Sequence, residues 1–336
     1  MSQRPRILLF SCMKNEGATV LEWFAYHRLI GVDHFLIATN DCSDGTDKIW
    51  MRLAELGHAT HRLNRPYRRG IGAKPQQRAL VRVPADAVYQ SADWVLFLDA
   101  DEFLNIHVGD GSIDALMAQN RDADCFFINW RLFGTSNVEK FEPGLITERF
   151  THACDLQRLP DRFATSPKAL FRRERFFKPG IHRPTPHSKT EGPEPVYALA
   201  SGQTVSRGWR EVLTSADYAH AQVNHYSVQA LDGIMMKFAR GFAVNTAMPD
   251  PGAYLKSRDT NHVKDTTIHR HLPRLRAEVE KLLEDPVLRA LHDRAVFWRQ
   301  RHIRRALKLD QNREVMASLT AALSPLPQSA MDQPSG

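Results

Sequence analysis

Residues 94–104 read Trp-Val-Leu-Phe-Leu-Asp-Ala-Asp-Glu-Phe-Leu: five apolar residues, then Asp99, Asp101 and Glu102 almost together. An unbroken apolar run of this length fits a strand buried on both faces, the situation of a parallel sheet covered by helices. In such open α/β sheets, ligands bind beyond the carboxyl ends of the strands. One short stretch therefore predicts both a sheet and the edge of it where chemistry would sit.

The chain before it supports that sheet. "RILLFSC" (6–12) reads as a strand, and the apolar spacing after it suits a helix stopped near Gly31. "HFLIAT" (34–39) is a second strand, 47–56 a second helix ended by Gly57, and 58–63 a short third strand. This β-α-β-α-β order predicts parallel strands with helices on their faces. "KNEG" then lies at the end of the first strand and "NDCSDGT" (40–46) at the end of the second, so three strand ends converge on one crevice. A further strand is expected within 124–134, strands and long loops over 141–200, and another strand within 220–228. A helix is expected from Leu231, a helical pair broken near Pro286 over 272–309, and a disordered tail.

Charge bears on what such a crevice would hold. There are 45 Lys and Arg against 38 Asp and Glu, a net charge of +7, which favours anionic partners, phosphates included. Cys12, Cys42, Cys125 and Cys154 are scattered without a Cys-x-x-Cys pair, which argues against structural zinc and for reduced thiols. No stretch approaches the roughly 20 apolar residues of a membrane span, and no secretory leader pattern opens the sequence.

Taken alone, Asp-x-Asp after a buried strand has three readings. Side chains two apart on an extended chain point the same way, so Asp99 and Asp101 could flank one divalent cation. A phosphatase-like nucleophile is the second reading, although Phe103 stands two residues after Asp101. A solvated acidic turn before a helix is the third.

Five ordered blocks over roughly residues 6–245 carry a resemblance. "KNEGATVLEWFAYHRLIGVDHFLIATNDCSDGT", "DWVLFLDADEFL", "NWRLFGT", "GIHRP" and "NHYSVQALDGIMMKFARG" together resemble a family 2-type glycosyltransferase of GT-A fold, in its bacterial Lys-Asn-Glu-Gly subgroup. The resemblance implies a GT-A-like, Rossmann-type, mostly parallel α/β sheet flanked by helices, with a helical C-terminal extension. It implies a nucleotide-binding half (1–105), an acceptor-side half (106–245), the extension (246–323) and a tail (324–336).

It implies that Mn²⁺ or Mg²⁺ is held by Asp101 and Asp99, with His225 or His182 as a third ligand. It implies a nucleotide-sugar donor, a UDP-sugar first, contacted by Asn15, Glu16, Asn40, Asp44, Lys74, Arg78, Asp99, Lys237 and Arg240. Many members carry Asp where this chain has Thr39-Asn40. Trp130 and Glu102 are expected on the acceptor side, where aromatic stacking on a sugar is the physical motive. Trp23 is expected in the core. By order alone the catalytic base is one of Asp161, Glu174, Glu148 and Asp155.

The activity implied is sugar transfer to a glycan or lipid-linked hydroxyl in bacterial surface polysaccharide or glycoconjugate synthesis, by a cytoplasmic protein. Basic residues over 297–309 offer either peripheral contact with the inner membrane or an ordinary docking helix. Two other classes remain: an Asp-dependent phosphatase-like hydrolase, and a basic nucleic-acid binder using "NRPYRRG" and "FRRERFFKPGIHRP". The acidic crevice counts against the latter, and no nucleic acid is expected as a partner.

Overall fold

The computed structural model describes residues 4–65, 74–157, 166–188, 193–205, 216–240 and 249–327. Its contacts divide the chain into two compact units. Unit 1 takes residues 1–130, 160–224 and 267–299, and unit 2 takes 131–159, 225–266 and 300–336. Both units draw on the 246–323 stretch that the sequence groups as one extension.

Unit 1 is built on β1 (Ile7–Met13), β2 (His34–Thr39), β3 (Ala59–Leu63) and β4 (Trp94–Phe97), joined through α1 (Val20–Leu29), α2 (Thr46–Glu55) and α3 (Pro75–Arg82). β1 pairs in parallel with both β2 and β4, and β2 with β3. β1, β2 and β4 are almost entirely buried, which is why their sequences read as continuous apolar runs rather than alternating ones. The helices stop where expected, because Gly31 (φ 110°) and Gly57 (φ 78°) adopt left-handed backbone that other residues enter at a cost. Trp23, Phe24, Phe35 and Trp50 pack tilted or edge to face, locking α1 and α2 onto β2.

The sheet continues with β5 (Glu102–Ile106), β6 (Cys125–Leu132), β7 (Pro167–Arg172), β8 (Tyr197–Leu199) and β9 (Ala221–His225). The order is β3-β2-β1-β4-β7-β6-β9-β5, with β8 beside β6. β7 is antiparallel to both β4 and β6. The result is the expected α/β class: a mostly parallel half flanked by helices, extended by strands that arrive out of sequence order.

In unit 2, α4 (Leu231–Arg240) packs with the end of α6 (Pro286–Ala306) and with α7 (Asp310–Ala321) around Leu231, Met235, Ala306 and Leu319. A short ladder joins His152–Ala153 to Val263–Lys264. α6 follows α5 (Leu272–Leu283), and the break at Pro286 is the one expected. There Asp285 caps the new helix by accepting from Val287 N and Leu288 N. The four cysteines are free thiols. No helix among the described residues is long and apolar enough to cross a membrane.

Candidate active site

The turn after β4 is fixed from three sides. Asp99 N donates to Glu102 Oε2 at 2.9 Å and Glu102 N donates back to the Asp99 carbonyl at 3.1 Å, closing the turn on itself. From α1, Trp23 Nε1 donates to the carbonyls of Asp99 (3.1 Å) and Glu102 (2.9 Å). Trp23 is fully buried, so its assignment to the core holds, and from there it pins the acidic turn. Tyr26 Oη and His27 Nε2, also on α1, bind the next backbone groups at Leu104.

The third support is Lys168 on β7, a residue the sequence motifs do not single out. Leu96 pairs with Leu170 across the antiparallel ladder, and continuing that register sets Lys168 level with Leu98. Its side chain is fully buried, with Nζ 3.1 Å from Asp99 Oδ2 and 2.9 Å from Glu102 Oε2. The ammonium also lies 4.9 Å from the Phe97 ring centroid and 5.7 Å from that of Trp130. Gln76 Nε2, in the first turn of α3, donates to Asp99 Oδ1 at 2.7 Å. The signal was a lone Lys inside the strand "PKALFR", where a buried cation demands an acidic partner. What sequence could not supply was the antiparallel pairing that chooses the partner.

Electrostatics follow from the geometry. Burial alone would lower the Lys168 pKa, but Asp99 and Glu102 reverse this and raise it, so the ammonium stays charged. Burial pushes the Glu102 carboxyl up to about 8, opposed by Lys168 and assisted by Asp99 and Asp101. Glu102 Oε1 is buried and has no hydrogen-bond partner among the described residues. Glu102 was expected to face an acceptor; it does not, because it is enclosed as the inner anchor of the turn. Asp99 keeps 31% of its side chain exposed, and Asp101 is half-buried. These two are the acids that solvent reaches.

The other strand ends are occupied differently. Asp44 is 3% exposed; its Oδ2 accepts from Gly17 N at 2.8 Å, and its Oδ1 accepts from Thr46 N and Thr46 Oγ1. It ties the first two strand ends together, so its expected donor contact gives way to a turn-stabilising role. Asn15, with φ 59°, accepts from Ser43 N, Asn40 accepts from the Cys12 thiol, and Glu16 N donates to Thr46 Oγ1. Arg78 is buried and donates to the Asn64 carbonyl and side chain, so it braces α3 against β3 instead of reaching outward. Lys74, just before α3, is exposed.

His182 and Trp130 join the Lys168 cluster in unit 1. His182 Nδ1 lies 3.2 Å from the Pro167 carbonyl and its ring meets Trp130 edge-on at 5.2 Å. Burial, with the Lys168 charge, pushes the His182 pKa down. Glu174 does not come near. It is exposed in a turn tied to the start of β4, where Arg173 N donates to the Asp93 carbonyl. With about 3.3 Å per strand residue, the length of β4 separates it from Asp99, which rules it out as a base there. In unit 2, Lys237 Nζ donates to the Ser227 carbonyl at 2.9 Å, and Phe133 N donates to the His225 carbonyl. Glu148 and Asp155 are half-buried in that unit, and Arg240 ends α4. Asp161 lies outside the described residues.

Among the described residues, no group of three or more His, Cys, Asp and Glu side chains converges as a metal cage. His182 therefore does not complete a protein ligand set with Asp99 and Asp101. Mg²⁺ and Mn²⁺ do not require one, since one or two carboxylates with water and substrate phosphates suffice. The half-exposed Asp99 and Asp101 fit that donor chemistry.

A sequence model of glycosyltransferase family 92 matches residues 10–270, most of the chain and all of the sheet but the start of β1. The chain belongs to glycosyltransferase family 92. The motif resemblance pointed to glycosyltransferases through family 2, and it is the glycosyltransferase level that the match supports. A family 92 glycosyltransferase protein of Ricinus communis is 26% identical over 163 residues, 47% of this chain and 28% of that protein. This chain thus matches less than a third of that relative's length. Among solved structures, TarS 1–349 of S. aureus is 12% identical, with 94% of this chain and 91% of that chain covered and a TM-score of 0.33. Glucosyl-3-phosphoglycerate synthase of Mycobacterium tuberculosis, in complex with UDP, is 17% identical over 51% of this chain and 57% of that chain, with a TM-score of 0.29. At such scores, the description of this family 92 fold rests on its own strand order.

Proposed function

We propose that this family 92 chain transfers a sugar from a nucleotide-sugar to a hydroxyl acceptor, with the donor diphosphate bound over Asp99-Ala100-Asp101. The observation that supports this most is the acidic turn itself. It stands at the carboxyl end of a parallel strand, held by Trp23, Gln76 and buried Lys168, with Asp99 and Asp101 still open to solvent.

Asp101 and the open edge of Asp99 would hold a Mn²⁺ or Mg²⁺. When bound, such an ion supplies Lewis-acid charge to the departing nucleoside diphosphate. Lys168 keeps the Asp99 carboxylate aimed and offsets the repulsion among three neighbouring acids. The Gln76–Asp99 bond brings the first turn of α3 to the same place, and helix N-termini favour phosphate oxygens. Exposed Lys74, one residue before that helix, adds a cation. Trp130, beside Lys168, offers an aromatic face for a sugar. We assign UDP as the nucleotide and a glycan or lipid-linked hydroxyl of a bacterial surface polysaccharide or glycoconjugate as the acceptor, both from the motif resemblance. By chain order alone, Glu148, Asp155 and Asp161 are the base candidates.

The test is a set of thermal melts with UDP, GDP, CMP and dTDP, each with and without Mn²⁺. A ligand at 100 times its Kd stabilises by about 2.7 kcal/mol. The expected result is a rise of several degrees with UDP that requires the metal. No rise with any nucleotide, in a folded sample, would overturn the donor-site reading.

A further inference from the structure

The end of α6 and the turn after it carry a second feature that sugar transfer does not use. Arg301, Arg304, Arg305 and Lys308 are all exposed, and none has a hydrogen bond or ion pair from its side chain among the described residues. Leu307 and Leu309 stand among them, 40% and 50% exposed. On the other side of the same segment Ile303 and Ala306 are buried, and Asn312 Nδ2 donates to the Ala306 carbonyl at 2.8 Å. The cations are thus presented by backbone anchored in the core of unit 2, not by a loose tail.

Beside them lies an open cavity of about 440 Å³. Phe141, Ile303, Leu307 and Met316 give it apolar walls, and Arg304 stands at its lining. Asp232 also reaches it, but its carboxylate is already engaged by Phe141 N at 2.9 Å. The volume falls within the about 300–1,000 Å³ usual for ligand pockets.

We infer that this end of unit 2 is a docking surface for an anionic lipid bilayer, with the cations on the headgroups and the leucines and cavity taking apolar chain. Unpaired basic residues interleaved with exposed aliphatic ones are what an interfacial segment needs: attraction to the charged surface and apolar area to bury in it. A single-stranded nucleic acid would also be drawn to the charge, and Phe141 in the cavity wall and exposed Phe297 earlier in α6 are aromatic; but the apolar groups set among the four cations, Leu307 and Leu309, are aliphatic and offer no face for base stacking.

The test is co-sedimentation of the full chain with vesicles of equal parts phosphatidylglycerol and phosphatidylcholine, against phosphatidylcholine alone. It needs neither nucleotide nor metal, so it stands or falls separately from the transfer reading. The protein is expected to pellet with the anionic vesicles only. Binding is expected to fall at least about tenfold when salt shortens the screening length to about 3 Å. Reversing the charges in Arg301→Glu/Arg304→Glu/Arg305→Glu/Lys308→Glu is expected to weaken it at least about tenfold. If that variant does not fold, Arg301→Gln/Lys308→Gln is expected to weaken binding in the same direction. Leu307→Ser/Leu309→Ser is expected to weaken vesicle binding with the salt dependence kept. Wild-type protein left in the supernatant at low salt, or a folded charge-reversed variant that still pellets fully, would overturn the inference. So would a single-stranded RNA that binds as tightly as the vesicles and is indifferent to the leucine changes.

Discussion

The end of β4 and the ends of β1 and β2 are built from the same kinds of residue yet spend them differently. At β1 and β2, Asp44, Asn15 and Asn40 are used up by neighbouring backbone and side-chain groups, and Asp44 is buried in the process. At β4, that structural work passes to groups brought from elsewhere: Trp23 from α1, Gln76 from α3 and Lys168 from β7. Glu102 is spent as the internal anchor, and Asp99 and Asp101 stay accessible. A carboxylate at a strand end is therefore a candidate ligand only when something else holds its turn.

The sharpest way to break this contrast is Asp101→Ala. If the acid serves the cation and not the fold, transfer activity should drop at least about a hundredfold, since a metal contributes several kcal/mol of charge stabilisation. The melting temperature without ligand should stay within a few degrees, as for most partly exposed sites. A folded variant with full activity would remove Asp101 from the reaction.

Lys168→Met should show the opposite pattern. Removing one partner of a buried ion pair leaves an uncompensated charge and costs about 3–5 kcal/mol, readable by urea unfolding. Adding Glu102→Gln should recover part of that loss, because the group left behind is no longer an acid. A loss well below 1 kcal/mol would show that Lys168 does not hold the turn.

Asp44→Ala comes next, on a similar scale of stability. It strands the amides of Gly17 and Thr46 at a cost of about 1–3 kcal/mol each where water does not reach them. Nucleotide affinity in the folded fraction, measured by calorimetry, should change less than about threefold, as expected of a residue making no ligand contact. A much larger change would return Asp44 to the donor site.

The last effect vanishes near neutral pH and grows only on acidification: a pH dependence on α1. His27 Nδ1 lies 2.8 Å from the Trp23 carbonyl, while Nε2 accepts from Leu104 N, an arrangement that suits the neutral ring. Burial lowers its pKa to about 3 from the ordinary 6.5. The unfolded chain therefore binds the proton first, so this stability is present above about pH 6.5 and is lost as pH falls toward 3. His27→Gln should flatten the stability curve across that window. An unchanged acid slope would place the titration elsewhere.

Several elements were legible because their causes are local. Pro286 cannot continue the preceding helix but suits the first turn of a new one, and glycine at 31 and 57 ends one. Glu102, Asp44 and Arg78, read from their positions as ligand contacts, are buried and bonded within the fold, for one reason. Position in the chain shows which residues reach a strand end, but a partner from another element decides whether they are free there. Glu174 failed for a related reason: order along the chain said nothing of which end of the sheet it would occupy.

The parallel β-α-β core, its carboxyl edge and the acids placed there can be read from the amino-acid order, because they follow from apolar runs and strand polarity over short spans. Which acid faces inward and which outward is settled by long-range packing instead. That choice depends on Lys168, 66 residues beyond Glu102 in the chain and 2.9 Å away in space. It rests on an antiparallel register that no local pattern encodes, and in a dry interior a buried cation must find its acidic partners there.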